Sequence, residues 1–127
     1  MKWKNLLLAL PAILLITGCG TFTNLTPLQQ TRNANNSYPV EVAFTSPDQT
    51  LRWDSIKPYV LVNGQLYEMH QTPLVTNRWE GFVPAMPGEN SVTYRYKFDY
   101  YYNSFSAQPG KNSAFSPQYT LQIVEPQ

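Results

Sequence analysis

From Ser91 to Asn103 the chain alternates with a period of two. Val92, Tyr94, Tyr96, Phe98, Tyr100 and Tyr102 fall on one side, and Ser91, Thr93, Arg95, Lys97 and Asp99 on the other. A helical period would scatter those rings around a cylinder, whereas a pleated strand lines them up on one face. The run is therefore a β-strand with one buried face, and it commits the chain to an apolar sheet surface that a second layer must cover. At ~3.3 Å per residue it would reach roughly 43 Å, about twice an ordinary strand. We expect it to bend, to switch sheets or to project as a hairpin arm.

The same period recurs upstream. Tyr38, Val40, Val42 and Phe44 alternate with Pro39, Glu41, Ala43 and Thr45, and the early proline suits an edge or a strand start. Ser46-Pro47-Asp48-Gln49 reads as a turn. Pro58 to Val62 and Gln65 to His70 flank Asn63-Gly64, the pair that best tolerates the two positive φ angles of a type I′ hairpin. Arg78 to Val83 is a further strand, closed by Pro84 and the Pro87-Gly88 turn, and Ser116 to Val124 is the last, after the polar loop Ser104–Asn112. There is no helical repeat of apolar residues. Six or seven strands punctuated by turns predict an all-β fold, an immunoglobulin-like antiparallel β-sandwich over residues 38–127. A domain of this size buries enough surface for one core without disulfides.

The first residues carry an address. Met1 to Asn5 is short and basic, and Leu6 to Ile16 is an apolar run too short to cross ~30 Å of hydrocarbon as a helix. Residues 1–18 therefore read as an export signal. It ends in Ile16-Thr17-Gly18-Cys19, which resembles the lipobox of bacterial lipoproteins: an aliphatic residue, two small residues, then a cysteine. The resemblance implies cleavage between Gly18 and Cys19 and thioether acylation of Cys19. The plainer alternative is an ordinary signal peptide with a stray thiol. The chain has one cysteine, and an unpaired thiol in an exported protein calls for an explanation that acylation supplies. In this family an Asp after the cysteine favours inner-membrane retention; Gly20 stands there instead, which implies the outer membrane in a Gram-negative host.

Processing changes the electrostatics. The full chain carries nine Lys+Arg and eight Asp+Glu, and loss of Lys2 and Lys4 moves the balance from +1 to −1. Nothing here makes a polyanion-binding surface, so nucleic acid is not an expected partner. Residues 19–37 hold the lipidated cysteine and an Asn-, Thr- and Gln-rich stretch that reads as a flexible tether; the alternative is that Phe22, Leu25 or Leu28 pins part of it to the domain.

Within the domain, Trp79, Val83-Pro84, Pro87-Gly88 and Tyr94-Arg95-Tyr96-Lys97-Phe98-Asp99 resemble the strand, turn and strand of early-set sandwiches, including starch- and glycogen-binding modules. In those modules a Gly and a sugar-stacking Trp commonly follow; here the chain runs Tyr100-Tyr101-Tyr102-Asn103. The resemblance implies an Ig-like fold and makes a glycan an alternative ligand, with Trp53 and Trp79 as the candidate stacking rings.

Catalytic chemistry is sparse. His70 is the one imidazole, and no G-x-S-x-G elbow accompanies it. Asp48, Asp54 and Asp99 are scattered, so neither a metal site nor a cofactor is expected, though a lone calcium at a loop and a Glu80/Asp99 carboxylate pair across adjacent strands remain open. Arg95 and Lys97 read as solvated residues that discourage edge pairing. Aromatic rings are the abundant functional group. Tyr101 points opposite to Tyr100 and Tyr102, so a tip of Tyr100, Tyr101, Tyr102 and Phe105 cannot bury every ring on one inner face, and this tip is the candidate interaction surface. The expectation is a non-enzymatic protein, anchored to the membrane by its lipid, that displays one domain to an envelope protein partner. Glycan binding is the first alternative and a hydrolase the second.

Overall fold

The computed structural model describes residues 20–127; the expected signal, its cleavage point at Gly18 and the acylation point at Cys19 lie outside the described residues. In chain order the strands are β1 (Thr21–Asn24), β2 (Gln29–Thr31), β3 (Ser37–Thr45), β4 (Lys57–Val62), β5 (Gln65–Glu68), β6 (His70–Gln71), β7 (Arg78–Pro84), β8 (Ser91–Tyr102), β9 (Gly110–Phe115) and β10 (Tyr119–Val124). They form two sheets, ordered β1-β3-β7-β6 and β2-β10-β8-β4-β5, with β9 also pairing to β8. The result is an all-β sandwich. Every named pairing is antiparallel except that of β2 with β10.

The period-two reading of β8 holds along its length. Val92, Tyr94, Tyr96, Phe98 and Tyr100 are buried, and the side chains between them face outward. Tyr38, Val40, Val42 and Phe44 of β3 are buried opposite them. The rings of the two sheets interlock: Phe98 meets Phe44 at 5.2 Å and Trp79 edge-on at 5.0 Å between centroids. Such tilted contacts set the negative face of one ring against the positive edge of the next.

The expected sheet switch or projecting arm of β8 does not occur. It is an internal strand with β4 on one flank, while its other flank is shared by β10 over Ser91–Tyr94 and by β9 over Lys97–Tyr102. The expected single strand from Ser116 to Val124 is corrected accordingly, because Ser116-Pro117-Gln118 is a break. Ser116 holds β8 across it: its hydroxyl accepts from Tyr96 N–H at 2.8 Å and its own N–H donates to the Tyr96 carbonyl at 3.0 Å.

Residues 20–37 are not a free tether. β1 pairs with β3 and β2 with β10, so the segment passes from one sheet to the other. Phe22 is the pin, with its ring 4.8 Å from Phe44 and 5.1 Å from Phe98. Leu28 is exposed. Beyond β1, side chains take over from the ladder: Thr26 Oγ1 accepts from Glu41 N–H at 2.9 Å and, from within β2, Gln30 Nε2 donates to the Pro39 carbonyl at 2.8 Å. Pro39 is thus met by a side chain where β1 has ended, and its missing N–H costs β3 no ladder bond there.

The Asn63-Gly64 hairpin is present, with φ of 51° and 79° at its two central residues. Its second strand is shorter than the expected Gln65–His70. β5 ends at Glu68, and after the buried Met69 the chain continues as β6 in the other sheet.

Strand direction assigns the loops to ends. β1 starts beside Thr45, β6 ends beside the start of β7, and β4 starts beside the end of β8. One end therefore collects Gly20 and the loops 46–56, 72–77 and 103–109. The opposite end collects the Asn63-Gly64 turn, the loop 85–90 and the C-terminus.

Candidate functional site

The outer face of β4, β8 and β9 is built by register. Lys97 lies between Tyr59 and Phe115, Asp99 between Lys57 and Ser113, and Tyr101 beside Lys111. Lys97 Nζ donates to both Asp99 oxygens at 2.8 and 3.0 Å, and Ser113 Oγ donates to Asp99 Oδ1 at 2.6 Å. Burial pushes the Asp99 carboxyl pKa upward; the Lys97 and Ser113 hydrogen bonds, with the charges of Lys97 and Lys57, outweigh it and leave the group below its ordinary value. Arg95 carries its guanidinium 4.8 Å from the Phe115 ring centre, with its Nε buried and without a hydrogen-bond partner. The ring supplies the attraction that a carboxylate would otherwise give. Arg95 and Lys97 are therefore interior to a sheet face and engaged with rings and Asp99, which corrects their reading as edge-protecting solvated charges.

Beside this row lies an open groove of about 650 Å³, walled by Lys57, Tyr59, Tyr101, Lys111 and Phe115, with Ser55 on its rim. Ser55 Oγ accepts from Tyr101 N–H at 2.9 Å, tying the short 3-10 turn Trp53–Ser55 to the end of β8. Lys111 Nζ sits 5.7 Å from the Tyr101 ring centre. Since Lys97 already neutralises Asp99, the exposed ammonium groups of Lys57 and Lys111 give the groove cationic donors beside aromatic walls. Such a surface takes acidic and apolar side chains together.

The four residues of the expected aromatic tip separate. Tyr100 points inward and is 4 % exposed, and Tyr102 packs half-buried against the core. The alternation that carries Tyr96 and Phe98 inward continues through both. Tyr101 takes the outer face and joins the groove, and Phe105 stands fully exposed on the loop 103–109. Of the stacking candidates, Trp79 is 4 % exposed and belongs to the core, packed edge-on to Phe98. Trp53 is 41 % exposed, its ring tilted 55° against Phe44. Trp53 and Trp79 therefore make no common platform. Among the described residues the one near-parallel ring contact, Phe22 with Tyr96 at 16°, is interior.

The titratable candidates are equally dispersed. His70 is exposed on β6, its Nε2 3.7 Å from Glu80 Oε1. Glu80 and Asp99 lie on the outer faces of opposite sheets, not across adjacent strands. Among the described residues no group of three His, Cys, Asp or Glu side chains could hold a metal ion, and no helix is long and apolar enough to cross a membrane. Sequence reasoning missed Lys57, Tyr59, Lys111 and Phe115. The signal for Phe115 and Lys111 was their two-residue spacing with Ser113, masked because Lys111 was placed in the polar loop Ser104–Asn112 and Phe115 between that loop and the last strand. No family model matches the chain, and no curated protein matches it.

Proposed function

We propose that this protein is a lipid-anchored display module of the cell envelope, whose immunoglobulin-like domain binds a protein partner through the groove on β4, β8 and β9. The observation that carries the binding half is the groove itself, where Lys57 and Lys111 stand beside Tyr59, Tyr101 and Phe115. Tyrosine is among the side chains that carry most of the binding energy at protein interfaces, and the two lysines add charge that selects an acidic partner surface. The strand order supports the Ig-like reading: β1-β3-β7-β6 follows the A-B-E-D arrangement, and β10-β8-β4-β5 follows G-F-C-C′.

The anchoring half rests on Ile16-Thr17-Gly18-Cys19. One acyl chain of myristoyl length binds a membrane only marginally, and the two or three chains of an acylated N-terminal cysteine hold it durably. Gly20, in place of an Asp, favours the outer membrane. Anchoring confines the domain to a surface, so the partner is an envelope protein met at high local concentration.

A single experiment tests both halves. A photo-crosslinking residue replaces Tyr101 in the groove or Phe82 on the outer face of the other sheet, in cells making either the native chain or Cys19→Ser, with a clickable fatty acid in the medium. The expected outcome is lipid labelling that disappears in Cys19→Ser, together with an unprocessed precursor, and protein adducts from position 101 but not from position 82. Labelling that survives Cys19→Ser overturns the anchor, and equal adducts from both faces overturn the groove.

A further inference from the structure

We propose that the end of the sandwich formed by the loops 46–56, 72–77 and 103–109 is itself a membrane-contact surface, seated on the bilayer that takes the acyl chains of Cys19. The inference rests on the lipid anchor proposed above. Its first support is the length of chain left over. β1 begins at Thr21, and two residues span at most about 7 Å. Gly20 takes up none of the slack: a Cβ built on it would stand 2.5 Å from Phe44 Cζ and 3.1 Å from the Thr45 carbonyl oxygen, so the backbone lies flat on the domain. An acylated Cys19 therefore leaves no spacer. The end of the domain from which the chain departs is held against the headgroups.

The second support is what that end presents. Each of its three loops carries one large exposed apolar side chain: Trp53 on the first, Leu74 on the second and Phe105 on the third. Leu74 and Phe105 are fully exposed, and both sit near the middle of loops without a charged residue. Leu74 adopts φ of 65°, a left-handed conformation that a bulky side chain rarely takes. The polar atoms around these side chains are largely spoken for within the loops. Ser104 and Ser106 hydroxyls both donate to the Gln108 carbonyl, at 2.8 and 2.9 Å. Gln71 Nε2 donates to the Thr76 carbonyl at 2.7 Å, and Val75 N–H to the Thr72 carbonyl at 3.2 Å. Backbone groups paired in this way lose little when water is withdrawn.

Charge decides the kind of lipid contact. The loop 46–56 carries Asp48, Arg52 and Asp54, and the other two carry none, so the loops that hold the apolar side chains have no positive excess of their own; Lys57 and Lys111 stand behind them at the strand starts. The contact is apolar insertion at the interface, and on uncharged phosphatidylcholine it does not depend on salt. It also orients the molecule. The strands run away from the bilayer, the C-terminus points outward, and the groove beside Tyr101 and Lys111 opens close to the membrane surface.

The mature chain has one cysteine, blocked by its thioether once acylated, so an introduced cysteine is the one free thiol. Nitroxide labels at Leu74→Cys, Phe105→Cys and Met86→Cys are compared in the full lipidated protein in phosphatidylcholine vesicles. Met86 is exposed and apolar but lies at the opposite end, which makes it the control. The expected result is a several-fold lower collision rate with a water-soluble nickel chelate at positions 74 and 105 than at 86, with a higher collision rate with oxygen, unchanged in high salt. Labels as open to nickel at 74 and 105 as at 86 overturn the proposal, and so does protection from nickel without a gain in oxygen, since a protein and not lipid would then cover the loops. Mass spectrometry of the same sample separates the causes of failure. An unacylated Cys19 removes the anchor and this inference together, whereas an acylated protein with water-exposed loops removes this inference alone.

Discussion

A tyrosine hydroxyl placed between two sheets must find partners or forfeit its hydration without return. Tyr96 finds several: its Oη donates to Asn24 Oδ1 at 2.7 Å and lies 3.3 Å from Thr26 Oγ1, while Asn24 Nδ2 donates in turn to Tyr94 Oη at 2.9 Å. The cluster fastens the crossing segment between β1 and β2 to the middle of β8. Tyr96→Phe keeps the ring and removes the donor, leaving Asn24 Oδ1 with only the long 3.4 Å bond from Thr26 N–H in a part-buried site. We expect a loss of about 0.5–1.5 kcal/mol, the usual net worth of one hydrogen bond, read from the midpoint of urea unfolding. An unchanged midpoint would make the cluster incidental. The alternation in β8 made Tyr96 legible as a core ring. Its hydroxyl partners were not legible, because Asn24 and Thr26 stand 72 and 70 residues away in a stretch without apolar periodicity.

At the scale of elements, the long half-buried strands could be read and the short crossing ones could not. β3, β7 and β8 each bury alternate side chains, and the β4–β5 hairpin announces itself by Asn63-Gly64. β1 and β2 have four and three residues and no fully buried side chain, so they offer no period to detect. They exist because neighbouring strands offer open edges and Phe22 supplies the one large apolar contact. Phe22→Ala separates a strand from a tether. A tether would lose nothing, whereas the observed packing against Phe44 and Phe98 implies a loss of about 2–4 kcal/mol, toward the lower part of the range for aromatic truncation because the ring is not fully enclosed. Thr21→Ala, at an exposed position of the same strand, should stay within about 0.5 kcal/mol. Thermal unfolding of the two variants beside the parent protein decides the matter. The candidate groove was hidden for a related reason: β9 starts inside the polar loop Ser104–Asn112, and register alone brings Phe115 and Lys111 beside Lys97 and Tyr101.

For the whole molecule, the same contacts fix how stability responds to pH. Asp99 and Asp48 lie below the ordinary carboxylate value of 3.8, Asp99 for the balance described above and Asp48 because Thr50 hydrogen-bonds to it through hydroxyl and backbone. A lowered carboxylate pKa adds stability above 3.8 that is lost as pH falls through the folded-state value. Tyr96 and Tyr119 lie above the ordinary tyrosine value of 10.0, chiefly because burial disfavours the phenolate. A raised tyrosine pKa has the opposite sign: its contribution is complete below 10.0 and is lost as pH rises through the folded-state value. Stability should therefore be nearly flat between about pH 5 and 9 and fall on both sides. The two limbs have separate owners, which makes them testable. Asp99→Asn should lessen the acid fall and leave the alkaline one intact, and Tyr96→Phe should do the reverse, with urea midpoints measured across the range. Were Asp99→Asn to leave the acid limb unchanged, the Lys97–Asp99–Ser113 cluster would be a solvated surface contact, and Lys97 would join Lys57 and Lys111 as a free cation at the groove. Acid stability thus reports on the charge that the binding face offers a partner at neutral pH.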